Sequence, residues 1–427
     1  MTMREVYLDH AATTPLDPRV KEAMEPYWTT VFGNPSTLYR PGRLAKDALD
    51  TARAKVAELL HSRPEEIIFT GSGTESDNMA IFGACRMFQN RGAKHLITMV
   101  SEHHAILHSF EALERDGWEV TYLQVDEDGM VAVSDVCNAI RPDTLLVSVM
   151  YINNEIGVIQ PIEEIGAVIK EIRRGRGEQK NQLPLYFHSD AAQAAGCLDL
   201  NVDRLGVDLL SLNGGKIYGP KGVGCLYMRR GVSLKPIIYG GGQEKNLRSG
   251  TENMPGIFGF AKAFEIACVE REKENPRLIE LRDYFIHRLT SEIPKTVLNG
   301  HATKRAPNNV NVSVLDIEGE GVILYLDAKG VYISTGSACT SETLDPSHVI
   351  LALGKPYEYA HSSLRFTMGR STTKEDIDYV MEVLPPIVVT LRQMSPIRIE
   401  VGQKEVSHPE AFAGQGSKIK VGGKTYK

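Results

Sequence analysis

A lysine stands among glycines at Gly214-Gly215-Lys216-Ile217-Tyr218-Gly219-Pro220-Lys221-Gly222, just after an apolar run at 207–210. Glycine lets backbone approach a ligand closely, and a lysine in such a place sheds its charge and traps carbonyl groups as a Schiff base. A basic surface turn has the same composition, so the segment alone decides nothing. A second reactive candidate is Cys339, inside twelve small or polar residues at 334–345 that lack apolar periodicity. Unpaired cysteine is usually buried, so one in an exposed loop reads as a reactive thiol. Cys85, Cys137, Cys197, Cys225 and Cys268 lie in or beside predicted regular elements and read as packing. The third is Arg365, mid-strand at 362–368, where a guanidinium holds either a substrate carboxylate or a structural salt bridge.

These groups need elements to position them, and hydrophobic periodicity supplies strands alternating with helices. Strands are predicted at 67–70, 95–100, 119–125, 144–150, 185–188 and 208–212, with helices at 77–87, 105–115, 133–140 and 162–173. Such alternation needs crossover connections and gives an α/β fold with a mostly parallel sheet covered by helices. Ligands of these sheets bind beyond the C-terminal strand ends. There the sequence places Gly73 and Thr74 in a glycine-rich turn opening a helix, then His103, then Asn154, then Asp190 with Gln193, then Lys216. A helix N-terminus suits a phosphate, although Ser, Thr and Gly are also ordinary caps. Taken singly, a surface histidine, a turn-forming asparagine and a capping aspartate remain open readings. Taken together, a stackable imidazole, an amide, a carboxylate with a glutamine and an amine at one sheet edge match the needs of a pyridinium cofactor.

A chain of 427 residues with 42% hydrophobic content can form one large domain and a smaller one. Its net charge of −6 carries no electrostatic footprint for direct nucleic-acid binding. Neither a membrane-spanning run, a signal-peptide core nor zinc-spaced cysteines stand out, so a cytoplasmic protein without a membrane partner or intrinsic metal is expected. The rhythm changes after residue 255: helices are predicted at 255–274 and 277–293, then shorter elements at 308–315, 319–326 and 331–333, and a closing helix at 374–392. A large cofactor-binding domain at 1–255 and a small α+β domain at 256–395 carrying the 334–345 loop are therefore expected, with residues 1–30 free to pack against the small one. The polar, glycine-rich segment 396–427 reads as a flexible or partner-dependent tail.

The chain resembles the cysteine desulfurases of the bacterial NifS/IscS group, within the fold-type I enzymes dependent on pyridoxal phosphate. The blocks that carry the resemblance keep the family's order: Tyr7-Leu8-Asp9-His10-Ala11-Ala12-Thr13-Thr14-Pro15, Gly33-Asn34-Pro35, Thr74-Glu75-Ser76-Asp77-Asn78, Asn153-Asn154-Glu155-Ile156-Gly157, Asp190-Ala191-Ala192-Gln193, Lys216 to Gly222, Arg248-Ser249-Gly250-Thr251 and Gly336-Ser337-Ala338-Cys339-Thr340-Ser341. Position by position, the resemblance implies that Lys216 is the Schiff-base lysine, His103 stacks on the pyridine ring and Asp190 pairs with its nitrogen. It implies Gln193 and Asn154 near the ring oxygen, Gly73 and Thr74 at the phosphate, Arg365 and Asn34 on the substrate, and Cys339 as sulfur acceptor.

Where the family has Ser-x-His before the lysine, this chain has Asn213 and Gly215, so an amide and a backbone N–H stand at the phosphate positions. Thr251 matches a phosphate contact given to the second subunit, which implies a homodimer. The implied reaction removes sulfur from L-cysteine, releases L-alanine and leaves a persulfide on Cys339, whose deprotonation is helped by nearby cationic groups or His103. The sulfur passes to an iron-sulfur scaffold protein or a sulfur carrier, with Cys339 a transient iron-sulfur ligand shared with the scaffold. A selenocysteine lyase, an aminotransferase and a non-catalytic dimeric docking platform are the competing readings.

Overall fold

The structure, a computed structural model, describes residues 4–178, 183–335, 346–396, 398–403, 419–421 and 424–426. Its strands are β1 (Val6–Tyr7), β2 (Ile67–Thr70), β3 (His95–Met99), β4 (Glu119–Leu123), β5 (Thr144–Ser148), β6 (Tyr186–Asp190), β7 (Leu209–Asn213), β8 (Gly224–Met228), β9 (Thr296–Leu298), β10 (Asn309–Val314), β11 (Val331–Tyr332) and β12 (Ser363–Thr367). A hairpin of β13 (Ile419–Val421) and β14 (Lys424–Tyr426) follows in the tail segment.

Seven strands form the main sheet in the order β2-β8-β7-β6-β5-β3-β4. Pairing is parallel from β7 through β4, while β8 runs antiparallel to both β7 and β2. The sheet is thus mixed and mostly parallel. Side chains alternate between its two faces, as a period of two requires. Ile67, Phe69, Ile97, Phe187, Leu210, Leu212 and Tyr227 join one core with the helices Arg40–Leu59 and Met254–Glu292. Ile68, Leu96, Tyr186, Leu209 and Leu226 join the other, under the helices Gly73–Phe88 and His104–Arg115.

A second layer is the antiparallel sheet β12-β10-β9, which with the helix Lys374–Met394 encloses a separate apolar cluster. The first strand joins this cluster: β1 pairs with β11, and Val6 and Leu8 are buried there.

Two expectations are corrected. Pro276 does not divide two helices, because Met254–Glu292 is a single helix of 39 residues. An interior proline costs about 3 kcal/mol, but here both flanks are pinned to other elements. Asn275 Nδ2 donates to Cys197 O at 2.7 Å, and Arg277 Nη1 to Thr372 O at 2.7 Å. Strand β8, which the sequence reading passes over, lies inside the sheet between β2 and β7. Among the described residues, no helix is long and apolar enough to cross a membrane.

Candidate active site

The parallel strands β3, β5, β6 and β7 hand groups to the same edge. Gly73, Thr74, His103, Asn154, Asp190, Gln193, Asn213, Lys216 and Arg365 all line one cavity of about 380 Å³. Gly215 is buried but does not line it, Asn34 is elsewhere with its Oδ1 accepting from Ser36 N, and Thr251 is exposed. Cys339 lies outside the described residues.

The anion end is built from the turn after β2. Ser72 caps the helix Gly73–Phe88, its hydroxyl accepting from Glu75 N. The first-turn N–H groups of Gly73 and Thr74 have no intrahelical partner, and both residues face the cavity. That arrangement suits a phosphate through dipole and donors together. Asn213 turns its side-chain oxygen inward to accept from Gly215 N at 3.1 Å. The Gly215 N–H, expected at the phosphate, is therefore already engaged by its neighbour.

Lys216 follows β7 in a one-turn helix and donates from Nζ to Ala11 O at 2.8 Å and Ala12 O at 2.6 Å. The turn beyond it is strained. Tyr218 adopts φ of 61°, a left-handed conformation costly for a non-glycine residue. Three contacts hold it there: Tyr218 N donates to Thr14 Oγ1, its hydroxyl accepts from Arg370 N, and the Arg370 guanidinium lies 4.2 Å from its ring centre. The segment 11–14 thus cradles both the lysine and the turn that aims it.

Two buried carboxyl groups also line the cavity. Asp190 accepts from Ala192 N at 2.8 Å. Asp77, one helical turn past Gly73, also lines the cavity, and its Oδ1 has no hydrogen-bond partner among the described residues. Its nearest cationic candidate, His188 Nε2, is 3.6 Å away, but burial pushes that imidazole down to about 3. Burial raises both carboxyls, and the charge of Asp190 raises Asp77 further. A hydrogen bond from Ser211 pulls Asp77 back, and the Ala192 N–H and the Lys216 charge pull Asp190 back; with Asp190 and Glu102 both raising Asp77, Asp190 is the one held ionised. An ionised aspartate and an orphaned oxygen in a cavity also lined by a phosphate-type helix terminus fit a protonated pyridine ring.

His103 sits at the N-cap of the helix His104–Arg115, where its Nδ1 accepts from Ala105 N at 3.1 Å. Nε2 must then carry the proton. Burial, with the Lys216 charge adding to it, lowers this histidine to about 4. A neutral ring with Nδ1 occupied can stack and donate, and it has no vacant lone pair in this geometry for taking a proton from a thiol.

Arg365 on β12 donates from Nη1 to Asn154 O at 3.0 Å and from Nη2 to Asp9 Oδ1 at 2.9 Å. Its Nε is buried without a hydrogen-bond partner among the described residues. Both sequence readings of this arginine are therefore present in part, as an ion pair with one donor unused.

Asp77, Glu155, His104 and His348 also line the cavity, although none was assigned a role from sequence. For Asp77 a signal existed, since it stands four residues after Gly73 on the same helix face. For His348 there was none.

The aminotransferase class-V family matches residues 6–380. A protein of Dictyoglomus turgidum named cysteine desulfurase IscS is 50% identical over 397 residues, covering 93% of this chain and 98% of its own. One of the same name from Methanosarcina thermophila is 52% identical over 394 residues, covering 92% and 94%. A solved structure described as a NifS-like protein superposes with a TM-score of 0.83 at 34% identity, covering 91% of this chain and 100% of its own. Phosphate-type helix terminus, buried aspartate and cavity lysine thus sit in a chain similar to these proteins along nearly its whole length, and the chain belongs to the aminotransferase class-V family.

Proposed function

We propose that the protein is a cysteine desulfurase that uses pyridoxal 5'-phosphate to convert L-cysteine to L-alanine and transfers the sulfur to an acceptor. The observation that carries this reading is the single cavity joining a helix N-terminus, an ionisable buried aspartate, a lysine amine and an arginine with an unused donor. When bound, pyridoxal phosphate supplies an electron-accepting ring that labilises bonds at the α and β carbons of an amino acid. Gly73, Thr74 and Asn213 hold its phosphate, Asp190 its ring nitrogen, Gln193 and Asn154 its ring oxygen, and His103 its face.

Arg365 receives the substrate carboxylate, which brings the α-carbon toward Lys216. Lys216 moves the α-proton as a positioned base, a role worth roughly 10²–10⁴-fold. Cys339 attacks the substrate sulfur: an S–S bond forms, the Cβ–S bond breaks, and the two thiol protons end on the alanine methyl group and on the persulfide. Cationic side chains lining the cavity help ionise Cys339, since a thiol is only a few per cent ionised at neutral pH.

The finer assignments belong to the same proposal. A homodimer places Thr251 at the partner's site. Exposed apolar side chains support a covered face, with Trp28 at 61%, Phe32 at 71% and Leu38 at 88% exposure. An iron-sulfur scaffold protein or sulfur carrier in the cytoplasm takes the sulfur from Cys339.

The test is an absorbance spectrum of the purified protein with added cofactor, before and after L-cysteine, with alanine and sulfide assayed together. Alanine formation with a spectral change supports the reading, and Cys339→Ser should keep the spectrum while losing persulfide. A protein that binds cofactor yet releases no alanine overturns it.

A further inference from the structure

Glu155 is buried, lines the cavity and has no part in the reaction described above. The turn that carries it is rigid. Asn153 Oδ1 accepts from the N–H groups of Glu155 and Ile156, and Glu155 O accepts from the side chains of Asn309 and Asn311 at 3.1 Å each. Its carboxyl is aimed by one hydroxyl: Ser347 Oγ donates to Glu155 Oε2 at 2.5 Å. The same Ser347 oxygen accepts from Ile350 N as the cap of the short helix His348–Ala352. The preceding residue ties in the arginine, because Asn154 O takes the Arg365 Nη1 donor. The Glu155 side chain and Arg365 thus line the same cavity, and the Arg365 charge acts on the Glu155 carboxyl.

We propose that Glu155 is a positioning and affinity-setting residue for the substrate carboxylate: its charge offsets that of Arg365, and Ser347 holds it at the distance where it does so. The proposal rests on the desulfurase reading for the identity of the substrate. Arg365 has two carboxylate neighbours, Asp9 at hydrogen-bond distance and Glu155 within electrostatic reach. When Glu155 is neutral only Asp9 opposes the guanidinium, and an incoming carboxylate is attracted. When it is ionised, two negative charges compete with the substrate, and binding weakens.

Burial also raises the carboxyls of Asp77 and Glu102, and of these raised carboxyls Glu155 is the one on which the Arg365 charge acts. Burial raises its carboxyl to about 7, with the Ser347 hydrogen bond and the Arg365 charge pulling down. Across the cavity, burial keeps His104 neutral to about 4, and beside Ser347 it keeps His348 neutral to about 3. Lys216 and Asp190 stand at the sheet edge, and Asp9 behind Arg365. Ionisation of Glu155 as pH rises through 7 therefore lowers affinity for the substrate carboxylate.

The experiment measures KM for L-cysteine in the holoenzyme and Kd for the product L-alanine by calorimetry, both from pH 6 to 8. In the wild type both should rise by roughly three- to tenfold over that range, the scale of a nearby charge of like sign. Glu155→Gln should show flat profiles at the low-pH values. Ser347→Ala removes the hydrogen bond that favours the ionised form, so its rise should move to higher pH. A purely structural role would weaken binding at every pH and leave the position of the rise unmoved, whereas both variants should extend the low-KM range to higher pH. A wild-type profile retained in Glu155→Gln overturns the proposal, and so does an unshifted profile in Ser347→Ala should the glutamine variant not fold. A wild type that binds alanine with the expected profile but makes none from cysteine overturns the desulfurase reading alone.

Discussion

Arg365 Nη2 lies 2.9 Å from Asp9 Oδ1, joining a strand of the second layer to the first extended segment of the chain. A side chain that is 3% exposed is thereby partly neutralised and held in one orientation, with Nε left without a hydrogen-bond partner among the described residues. Hydrogen bonds to charged groups are worth about 1.5–3 kcal/mol, or roughly 10–100-fold in binding.

Arg365→Lys should raise KM for L-cysteine by about 10–100-fold, since a single ammonium cannot satisfy Asp9, Asn154 O and a carboxylate at once. Asp9→Asn should raise KM by about tenfold through loss of orientation, with kcat nearly unchanged. Steady-state kinetics decides, and an unaltered KM in both variants removes Arg365 from substrate binding.

Lys216→Ala should cut alanine formation by at least roughly 10²–10⁴-fold while leaving the far-ultraviolet circular dichroism unchanged. The fold is expected to survive because the segment 11–14 is also held by Thr14 N and Thr14 Oγ1 donating to Gly215 O. Turnover within tenfold of wild type would exclude the lysine as base.

His103 should be a neutral Nε2–H tautomer throughout the physiological range, as ¹⁵N chemical shifts can read directly. Its lowered value, caused first by burial and then by Lys216, sets a sign for stability. The unfolded ring takes up a proton near pH 6.5, whereas the folded ring does so only near 4. The contribution of this group is therefore complete above 6.5 and lost as pH falls from there to about 4. His103→Gln should flatten that part of the urea-midpoint profile relative to wild type, and identical profiles would contradict the assignment.

Two glycines in the same region should respond in opposite directions. A Cβ on Gly224 would stand 2.5 Å from Ser72 C and 2.6 Å from Ser72 O, against the turn that opens the phosphate helix. Gly224→Ala should cost about 1–3 kcal/mol and weaken cofactor retention. At Gly215 the nearest atom to an added Cβ is Asn213 Oδ1 at 3.6 Å. Gly215→Ala should be neutral or stabilise by about 0.4–1 kcal/mol, which thermal unfolding of both variants would test.

Much of the site was legible in the amino-acid order because its groups follow strands that announce themselves locally. A buried strand is a short apolar run, and the turn after it is marked by glycine and small polar residues. The strands leading to His103, Asn154, Asp190 and Lys216 were therefore placed to within two residues at either end, and their shared edge followed from the parallel direction that crossover connections impose. Gly224–Met228 was missed for the same reason: it begins at a glycine within a turn-rich stretch, and only pairing with β2 and β7 makes it a strand. Pro276 misled because a local rule cannot weigh the contacts of Asn275 and Arg277 with two distant segments.

The sequence by itself determined which residue types were available and which predicted strand each follows, and hence that an amine, a carboxylate, an imidazole and a phosphate turn would meet. Tertiary structure decided what each is paired with. Asp9 meets Arg365 across 356 positions and Ser347 meets Glu155 across 192, and no pattern of period two or 3.6 encodes such a pairing. Protonation followed the same division, because the chain lists the titratable groups while burial and neighbours choose their charge. His103, Asp77 and Glu155 are ordinary side chains in the sequence; their states come from the low-dielectric space into which the sheet and the second layer fold them.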